Sequence, residues 1–267
     1  MTALQKRLYK LLLEVDRICK LHGITYYLIG GTALGAVRHK GFIPWDDDLD
    51  VGMLRSDYDR FLRLCSENLG SEFFLQYWRT EPTHFLPFAR IRLNGTTFLS
   101  AGHEHLPLHQ GIYLDIFPLD GLPKWGCIVR LQRMVQRGLH ILLLIKFTNL
   151  PNPRLRNRLL TRFFRPLLPG AQLNRFYNFT ARLFPVSTAS NIVFLSLLKN
   201  RPVYPRKWFA APVYMRFEEN LFPMPTDWHA FLERTYGDYM EPPPVEDRVF
   251  NHGSIIDPDR DYRHYLK

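Results

Sequence analysis

The sequence predicts a mixed α/β domain carrying a mainly helical, basic extension, and three observations lead there. Over roughly the first 120 residues the apolar positions change from helical spacing to alternation and back, an order that favours a mixed α/β domain over a bundle or a sandwich. The chain has 267 residues, of which 46% are hydrophobic and 22% charged, enough for a substantial core. The formal net charge is +10, yet Gly121 to Phe217 contain seventeen Lys or Arg residues and no Asp or Glu, so the rest of the chain is net acidic.

Leu4, Leu8, Leu11, Val15 and Cys19 recur at helical spacing, so residues 3 to 21 read as an amphipathic helix ending at Gly23. "ITYYLIGG" reads as a short strand running into a glycine turn, and "TALGAVR" as the next helix, with Thr32 placed to cap its first turn. "GFIPW" breaks that helix. "LDVGM" alternates with period two, and "SDYDRFLRLCSENLG" returns to helical spacing. "FFLQYW", "FARIRL" and "GIYLDIF" are three further short strands. Residues 124 to 200 read as mainly helical, broken at "LPNP", "RPLLPG" and "FPVS", and the stretch from Arg201 to Pro225 reads as loop-rich.

The aspartate run "DDDLD" raises an electrostatic problem. Asp46, Asp48 and Asp50 share one strand parity, and clustered carboxylates repel unless a cation compensates them. Mg²⁺, or Mn²⁺ in its place, takes one or two carboxylates together with substrate phosphates, which makes Asp48 and Asp50 a candidate pair. The alternative is a solvated acidic turn in which Asp46 or Asp47 satisfies backbone donors. Gly30 and Gly31 leave room for backbone to approach a phosphate at a helix N-terminus. Arg38 adds positive charge at the far end of that helix, where it also complements the helix dipole. Asp115 interrupts the apolar run "IYLDIF" and is the candidate third carboxylate, whereas Asp120 reads as a turn residue beside Gly121.

These segments resemble the nucleotidyltransferase fold of the DNA polymerase beta superfamily and, much more closely, the LicD family. "YYLIGGTALGAVRHKGFIPWDDDLDVGM" is similar to that family's signature, and "HQGIYLDIFPLDG" and "YGDYMEPPP" to its later blocks. The resemblance implies a nucleotidyltransferase-like catalytic core over residues 1–120, a basic helical extension over 121–200, and substrate-site loops with a C-terminal segment over 201–267. It implies a transferase that moves phosphocholine or a phosphopolyol from a cytidine diphosphate-linked donor to a hydroxyl of a glycan or its lipid-linked precursor. It assigns Asp48, Asp50 and Asp115 as metal-binding and catalytic, with Gly30 and Gly31 as the glycine turn at the substrate; Thr32, next to that turn, is a further candidate substrate contact.

Other residues weighed as substrate contacts are Arg90 and Arg92, which share parity on "FARIRL" and reach either phosphate or the exposed face of an edge strand. His109 stands six residues before Asp115, on the approach to the same strand, and Arg216 follows a proline-rich loop. Tyr236 and His252 stand in the C-terminal blocks, where an aromatic ring can meet a base or, by cation-π contact, choline. Core packing is the competing role for Tyr239. His103, His105 and His109 lack a cysteine partner and a zinc-type spacing.

The basic stretch favours phosphate-rich partners. Its apolar run "ILLLI" is far too short to cross a bilayer, but such a segment can lie on an anionic one; a helical subdomain with a solvated basic face is the alternative. No nucleic-acid module is recognisable, so no nucleic-acid partner is expected, although a nucleotidyltransferase acting on RNA, DNA or a small molecule would use the same carboxylates. A noncatalytic membrane scaffold would leave those carboxylates uncompensated. Cys19, Cys65 and Cys127 cannot all pair within the chain and read as buried thiols. With no secretory leader recognisable, the expected location is cytoplasmic, with peripheral contact at the inner membrane face.

Overall fold

The computed structural model describes residues 1–100, 106–148, 165–197, 202–248 and 253–266. Helix α1 spans Ala3–His22 and is delimited by its own sequence. Thr2 and Gln5 form a reciprocal capping box at its start, and Gly23, at φ 58°, supplies the left-handed residue that ends it. Leu8, Leu11, Leu12, Val15 and Ile18 are fully buried along one face, each contributing roughly 1.5–3 kcal/mol of apolar transfer.

The chain then enters a mixed sheet. Strand β1 is Tyr27–Leu28, shorter than the strand read over "ITYYLI", because the chain turns at once into α2, Gly30–Arg38. Strand β2, Asp50–Leu54, leads into α3, Arg55–Asn68. Strands β3, Phe73–Gln76, β4, Ala89–Leu93, and β6, Tyr113–Gly121, follow. The sheet order is β1-β2-β6-β4-β3, with β2 parallel to β6 and the other neighbours antiparallel. β4 is therefore an internal strand, not the edge strand weighed as an alternative. Helices α1 and α3 pack against each other and against β6.

Strand β6 is buried along its whole length, and Leu114, Ile116 and Leu119 are fully so. Asp120, read from the sequence as a turn residue, lies inside this strand with no exposure. Arg55 Nε and Nη2 donate to its two carboxylate oxygens at 2.6 and 2.9 Å, tying the start of α3 to the end of β6. Burial opposes the charge on Arg55, and the adjoining Asp120 carboxylate more than offsets it. The bidentate fork also fixes orientation, which a point charge would not.

Beyond β6 the chain is more varied than its helical spacing implied. Helix α4, Gly126–Phe147, packs against α5, Gly170–Ala181, and a short strand β7, Asn191–Val193, returns to pair with the end of β6 and with β8, Tyr204–Pro205. The stretch read as loop-rich contains a regular hairpin, β9, Val213–Phe217, and β10, Asn220–Met224, followed by α6, Trp228–Tyr236. Near the C-terminus β11, Ile255–Asp257, pairs with β5, Thr97–Leu99. Cys19 and Cys65 are buried thiols as expected, but Cys127 is exposed, because it stands on the outer face of α4. Among the described residues no helix is long and apolar enough to cross a membrane.

Candidate active site

The register of three adjacent strands builds the centre of the site. Asp50 on β2 stands opposite Asp115 on β6, and Asp115 stands opposite Arg90 on β4. Residues paired in this way project to the same face of a sheet, so two acids and an arginine form one row across it. Arg90 Nε donates to Asp115 Oδ1 at 2.5 Å, and Nη2 to Oδ2 at a longer 3.3 Å. The guanidinium also lies 3.9 Å from the centroid of the Tyr113 ring. Burial opposes its charge, while Asp115, Tyr113 and Asp50 together restore it, so Arg90 is held as a cation.

The N-terminus of α2 closes this row from the side. Ile29 is its N-cap, in extended conformation and without a side-chain cap. The expected cap, Thr32, sits one turn inside the helix, and its hydroxyl instead accepts the backbone N–H of Asp50 at 2.8 Å. The reason the helix opens on two glycines is visible in space. A Cβ on Gly30 would lie 2.6 Å from Asp50 Oδ2, and one on Gly31 2.7 Å from Asp46 Oδ2. Gly30 also has φ 56°, a conformation that L side chains rarely adopt. The helix start and its partial positive charge are thereby brought against carboxylates.

The loop carrying the aspartate run is held from three directions. Gln5 Nε2 on α1 donates to the carbonyls of Ile43 and Asp46 at 3.4 and 3.3 Å. Glu218, in the β9–β10 turn, accepts the N–H of Phe42 at 2.9 Å. Gly41 approaches Gly35 so closely that a Cβ on Gly35 would meet the Gly41 carbonyl oxygen at 2.5 Å. Within the loop, Asp46, Asp47 and Asp48 each place a carboxylate oxygen within 4.8 Å of the others. Among the described residues this is the one acidic group so closely gathered; Asp48, Asp50 and Asp115 do not converge to that spacing, and Asp115 is engaged by Arg90. An all-oxygen donor set of this kind has the chemistry of a hard divalent cation site.

A small pocket of about 90 Å³ opens beside Gly30 and Asp50. Its walls are aromatic and include Phe117, Phe194, Tyr204, Phe231 and Tyr236. Tyr236, singled out from the sequence, is thus brought to Asp50. The others were missed. Phe117 was within reach of the sequence, since it shares strand parity with Asp115, but Phe194, Tyr204 and Phe231 come from segments that only the fold brings here.

The remaining candidates are placed elsewhere. Arg92 is buried, with Nε donating to Gln76 Oε1 at 2.7 Å and Nη1 to the Gly111 carbonyl at 2.6 Å; burial and the neighbouring Arg90 lower its pKa to about 9. His109 does not face Asp115. Its Nδ1 accepts from Gly111 N at 3.1 Å, its Nε2 meets Asn94 Oδ1 at 2.9 Å, and its ring stacks on Phe74. Burial lowers its pKa to about 4, which fits one neutral tautomer with both nitrogens engaged. Arg38 donates to the Tyr239 carbonyl at 3.0 Å, tethering α2 to the C-terminal block. Arg216 is exposed on β9 and donates to the Glu218 carbonyl. Tyr239 is buried, its hydroxyl 2.7 Å from His229 Nδ1. His252, His103, Glu104 and His105 lie outside the described residues.

Comparison with known proteins covers the segment that carries these residues. Residues 23–118 match the family described as LicD/FKTN/FKRP, nucleotidyltransferase domain. The chain is 28% identical over 250 residues to the lipopolysaccharide cholinephosphotransferase LicD of Haemophilus influenzae, covering 88% of this chain and 89% of that one. A shorter stretch of 49 residues is 43% identical to the ribitol 5-phosphate transferase FKRP of Homo sapiens, 18% of this chain and 10% of that protein. An uncharacterised protein of Rickettsia typhi is 42% identical over 60 residues, 22% of this chain and 19% of its own. The span that matches runs from the end of α1 through the glycine turn, the aspartate loop and β4 to Asp115 and Phe117, so the segment that builds the carboxylate row is the one similar to the LicD-type nucleotidyltransferase domain.

Proposed function

We propose that this chain is a transferase that moves a phospho-substituent from a cytidine diphosphate-linked donor to a hydroxyl of a cell-surface glycan or its lipid-linked precursor. The observation that carries the reading is the row Asp50, Asp115 and Arg90 across three strands, set against a helix that begins on two glycines. A noncatalytic scaffold has no use for acids held so closely against backbone. Asp48 and Asp50, with Asp46 and Asp47 nearby, would hold Mg²⁺, or Mn²⁺ in its place, and the ion when bound offsets the charge of the donor phosphates.

The rest of the chemistry is assigned to this chain's side chains. The backbone N–H groups opening α2 face the donor phosphates. Arg90 orients Asp115 through the short bond to Oδ1, leaving Oδ2, held at the longer 3.3 Å, to receive the proton of the acceptor hydroxyl. The acceptor oxygen bonds to the phosphorus of the transferred group as the bond from that phosphorus to the bridging oxygen breaks, and cytidine monophosphate leaves. The aromatic pocket beside Asp50 supports phosphocholine over a polyol, since π-faces suit a quaternary ammonium while a polyol needs many hydrogen-bond partners. The exposed Trp125, Leu131, Met134 and Ile141 on or beside α4, among its basic residues, support peripheral contact with an anionic membrane.

The test is release of cytidine monophosphate from cytidine diphosphate conjugates of choline and ribitol, with Mg²⁺ and with or without glycan acceptors. Acceptor-dependent release from the choline conjugate is expected, and Asp48→Asn should reduce it by at least ~100-fold if that acid holds the ion. Failure of every conjugate would overturn the reading, and near-normal turnover in Asp48→Asn would remove that residue from the metal site.

A further inference from the structure

Away from the carboxylate row the protein has a second, much larger cleft, of about 490 Å³. One wall is α3, another the turns after β3 and before β4, and the third is α5, which lies beyond the segment matched to the LicD family. Arg182, the C-cap of α5, forms a fork with Asp59 on α3, at 2.8 and 2.6 Å, and so clasps the two walls together. That pairing consumes the one acidic side chain in the lining. Arg63, Arg79 and Arg175 also line the cleft, are exposed, and form no salt bridge among the described residues.

Between these arginines the lining is aromatic. Tyr77 and Trp78 are half-buried, and Phe179 is 61% exposed on the opposite wall. Arg79 lies over the Trp78 ring at 5.0 Å from its centroid, which sets both the indole and the guanidinium. Aromatic rings on two sides of a polar cleft are suited to the apolar faces of a flat, amphipathic ligand, and arginine forks to phosphate or carboxylate. Together they match an anionic saccharide better than either a nucleic acid, whose phosphates are spaced along a long track, or a flat membrane, which cannot enter a cleft.

The cleft also borders the reaction centre. Phe88 lines it, and the Phe88 and Phe117 rings are 4.3 Å apart, with Phe117 lining the small pocket beside Asp50. Arg90, which holds Asp115, lies 5.8 Å from the Phe88 centroid. We propose that this cleft binds a phosphorylated or otherwise anionic saccharide segment of the acceptor, with Arg63, Arg79 and Arg175 as its anion contacts and Trp78 and Phe179 as its stacking surfaces. The proposal rests on the reading of the chain as a glycan-directed transferase and adds where the acceptor lies and what charge it carries.

The experiment measures binding in the absence of donor, so that it does not depend on transfer. The full chain is titrated with an oligosaccharide bearing phosphate monoesters, with the same oligosaccharide lacking phosphate, and with anionic phospholipid vesicles, following Trp fluorescence and heat. The phosphorylated oligosaccharide should bind at least ~10-fold more tightly than its neutral counterpart, and Arg63→Glu and Arg175→Glu should each weaken it by ~10-fold or more, while donor binding is unchanged. Both positions are exposed, so the variants should fold normally, and thermal melting verifies that. Equal binding of the charged and neutral oligosaccharides would overturn the proposal, as would unaltered affinity in both variants, or vesicles competing where the oligosaccharide does not. Saccharide binding with these properties but no transfer from any conjugate would leave the cleft assignment standing and sink the transferase reading alone.

Discussion

Replacing Gly30 with alanine adds one methyl group at the point where α2 meets the carboxylate row. The new Cβ would lie 2.6 Å from Asp50 Oδ2, closer than real Cβ contacts occur, and the residue would keep a φ of 56°. A left-handed conformation costs an L-residue roughly 1–2 kcal/mol, and loss of glycine's backbone freedom in the unfolded chain returns roughly 0.5–1 kcal/mol. Because the clashing atom is the far end of a side chain, Asp50 moves before the helix does. The net destabilisation is therefore about 1 kcal/mol, a shift of roughly 2–4 °C in Tm for a chain of this size class. A carboxylate displaced by about 1 Å, in contrast, can cost on the order of 100-fold in turnover. Gly31→Ala separates the two contributions. It carries no positive-φ penalty and its Cβ meets Asp46 Oδ2 instead, at 2.7 Å, so Tm should hold or rise slightly while any loss of turnover reports on Asp46 alone. Calorimetric melting paired with cytidine monophosphate release reads both quantities on the same samples. Wild-type turnover in Gly30→Ala, or a melting shift several times larger than calculated, would refute the argument that the glycine exists to admit the Asp50 carboxylate.

Asp115→Asn should retain donor binding by calorimetry but lose acceptor-dependent transfer even at saturating Mg²⁺, since the amide lacks the basicity assigned to Oδ2; full rescue by added metal would confine the residue to coordination. Arg55→Ala should destabilise the fold by roughly 3–5 kcal/mol in chemical denaturation, because it leaves the Asp120 carboxylate buried and unpaired, whereas the double change Arg55→Met with Asp120→Leu should cost much less. Equal losses in both would show that the charges themselves, rather than the orphaned partner, matter. Stability should fall on acidification because burial lowers the pKa of His84 to about 3 and of His109 and His140 to about 4. The unfolded chain binds these protons near the ordinary histidine pKa of 6.5, so the stabilisation is complete above about pH 6.5 and is lost as the pH falls through about 4, His84 continuing to about 3. Denaturation midpoints measured across pH 4 to 7 that stay flat would contradict this. Anionic vesicles should retain the protein at low salt and release it at high salt, with Trp125→Ser and Met134→Ser reducing retention; equal failure on anionic and neutral vesicles would remove the membrane contact.

The local elements were legible where one signal dominated. Helix α1 could be bounded to within a residue because its apolar stripe and terminal glycine agree, and the structure adds a Thr2–Gln5 capping box at the same start. Strands β2, β4 and β6 were legible as alternating or apolar runs, and the odd acid in the most apolar of them, Asp115, marked a site where burial needs compensation. The β9–β10 hairpin was not, because prolines at Pro212 and Pro223 disguise strands whose backbone is satisfied on one side only. Asp120 was misread for a related reason: an acid beside glycine usually marks a turn, and nothing local reveals that Arg55, 65 positions earlier, will neutralise it.

What the sequence by itself determined is the inventory: the glycine pair, the aspartate run, the lone acid in a buried strand, and the acid-free basic stretch. Periodicity and charge are local properties, and they suffice to predict a mixed α/β core with a basic extension. What only the tertiary structure decided is adjacency. Strand register set Asp50, Asp115 and Arg90 side by side, directed His109 to Asn94 instead of Asp115, and gathered five aromatic rings from β6 to α6 around Asp50. A shift of one residue along β6 would send Asp115 to the opposite face, and that register is selected by the summed burial of the whole strand together with the Arg55–Asp120 fork at its end.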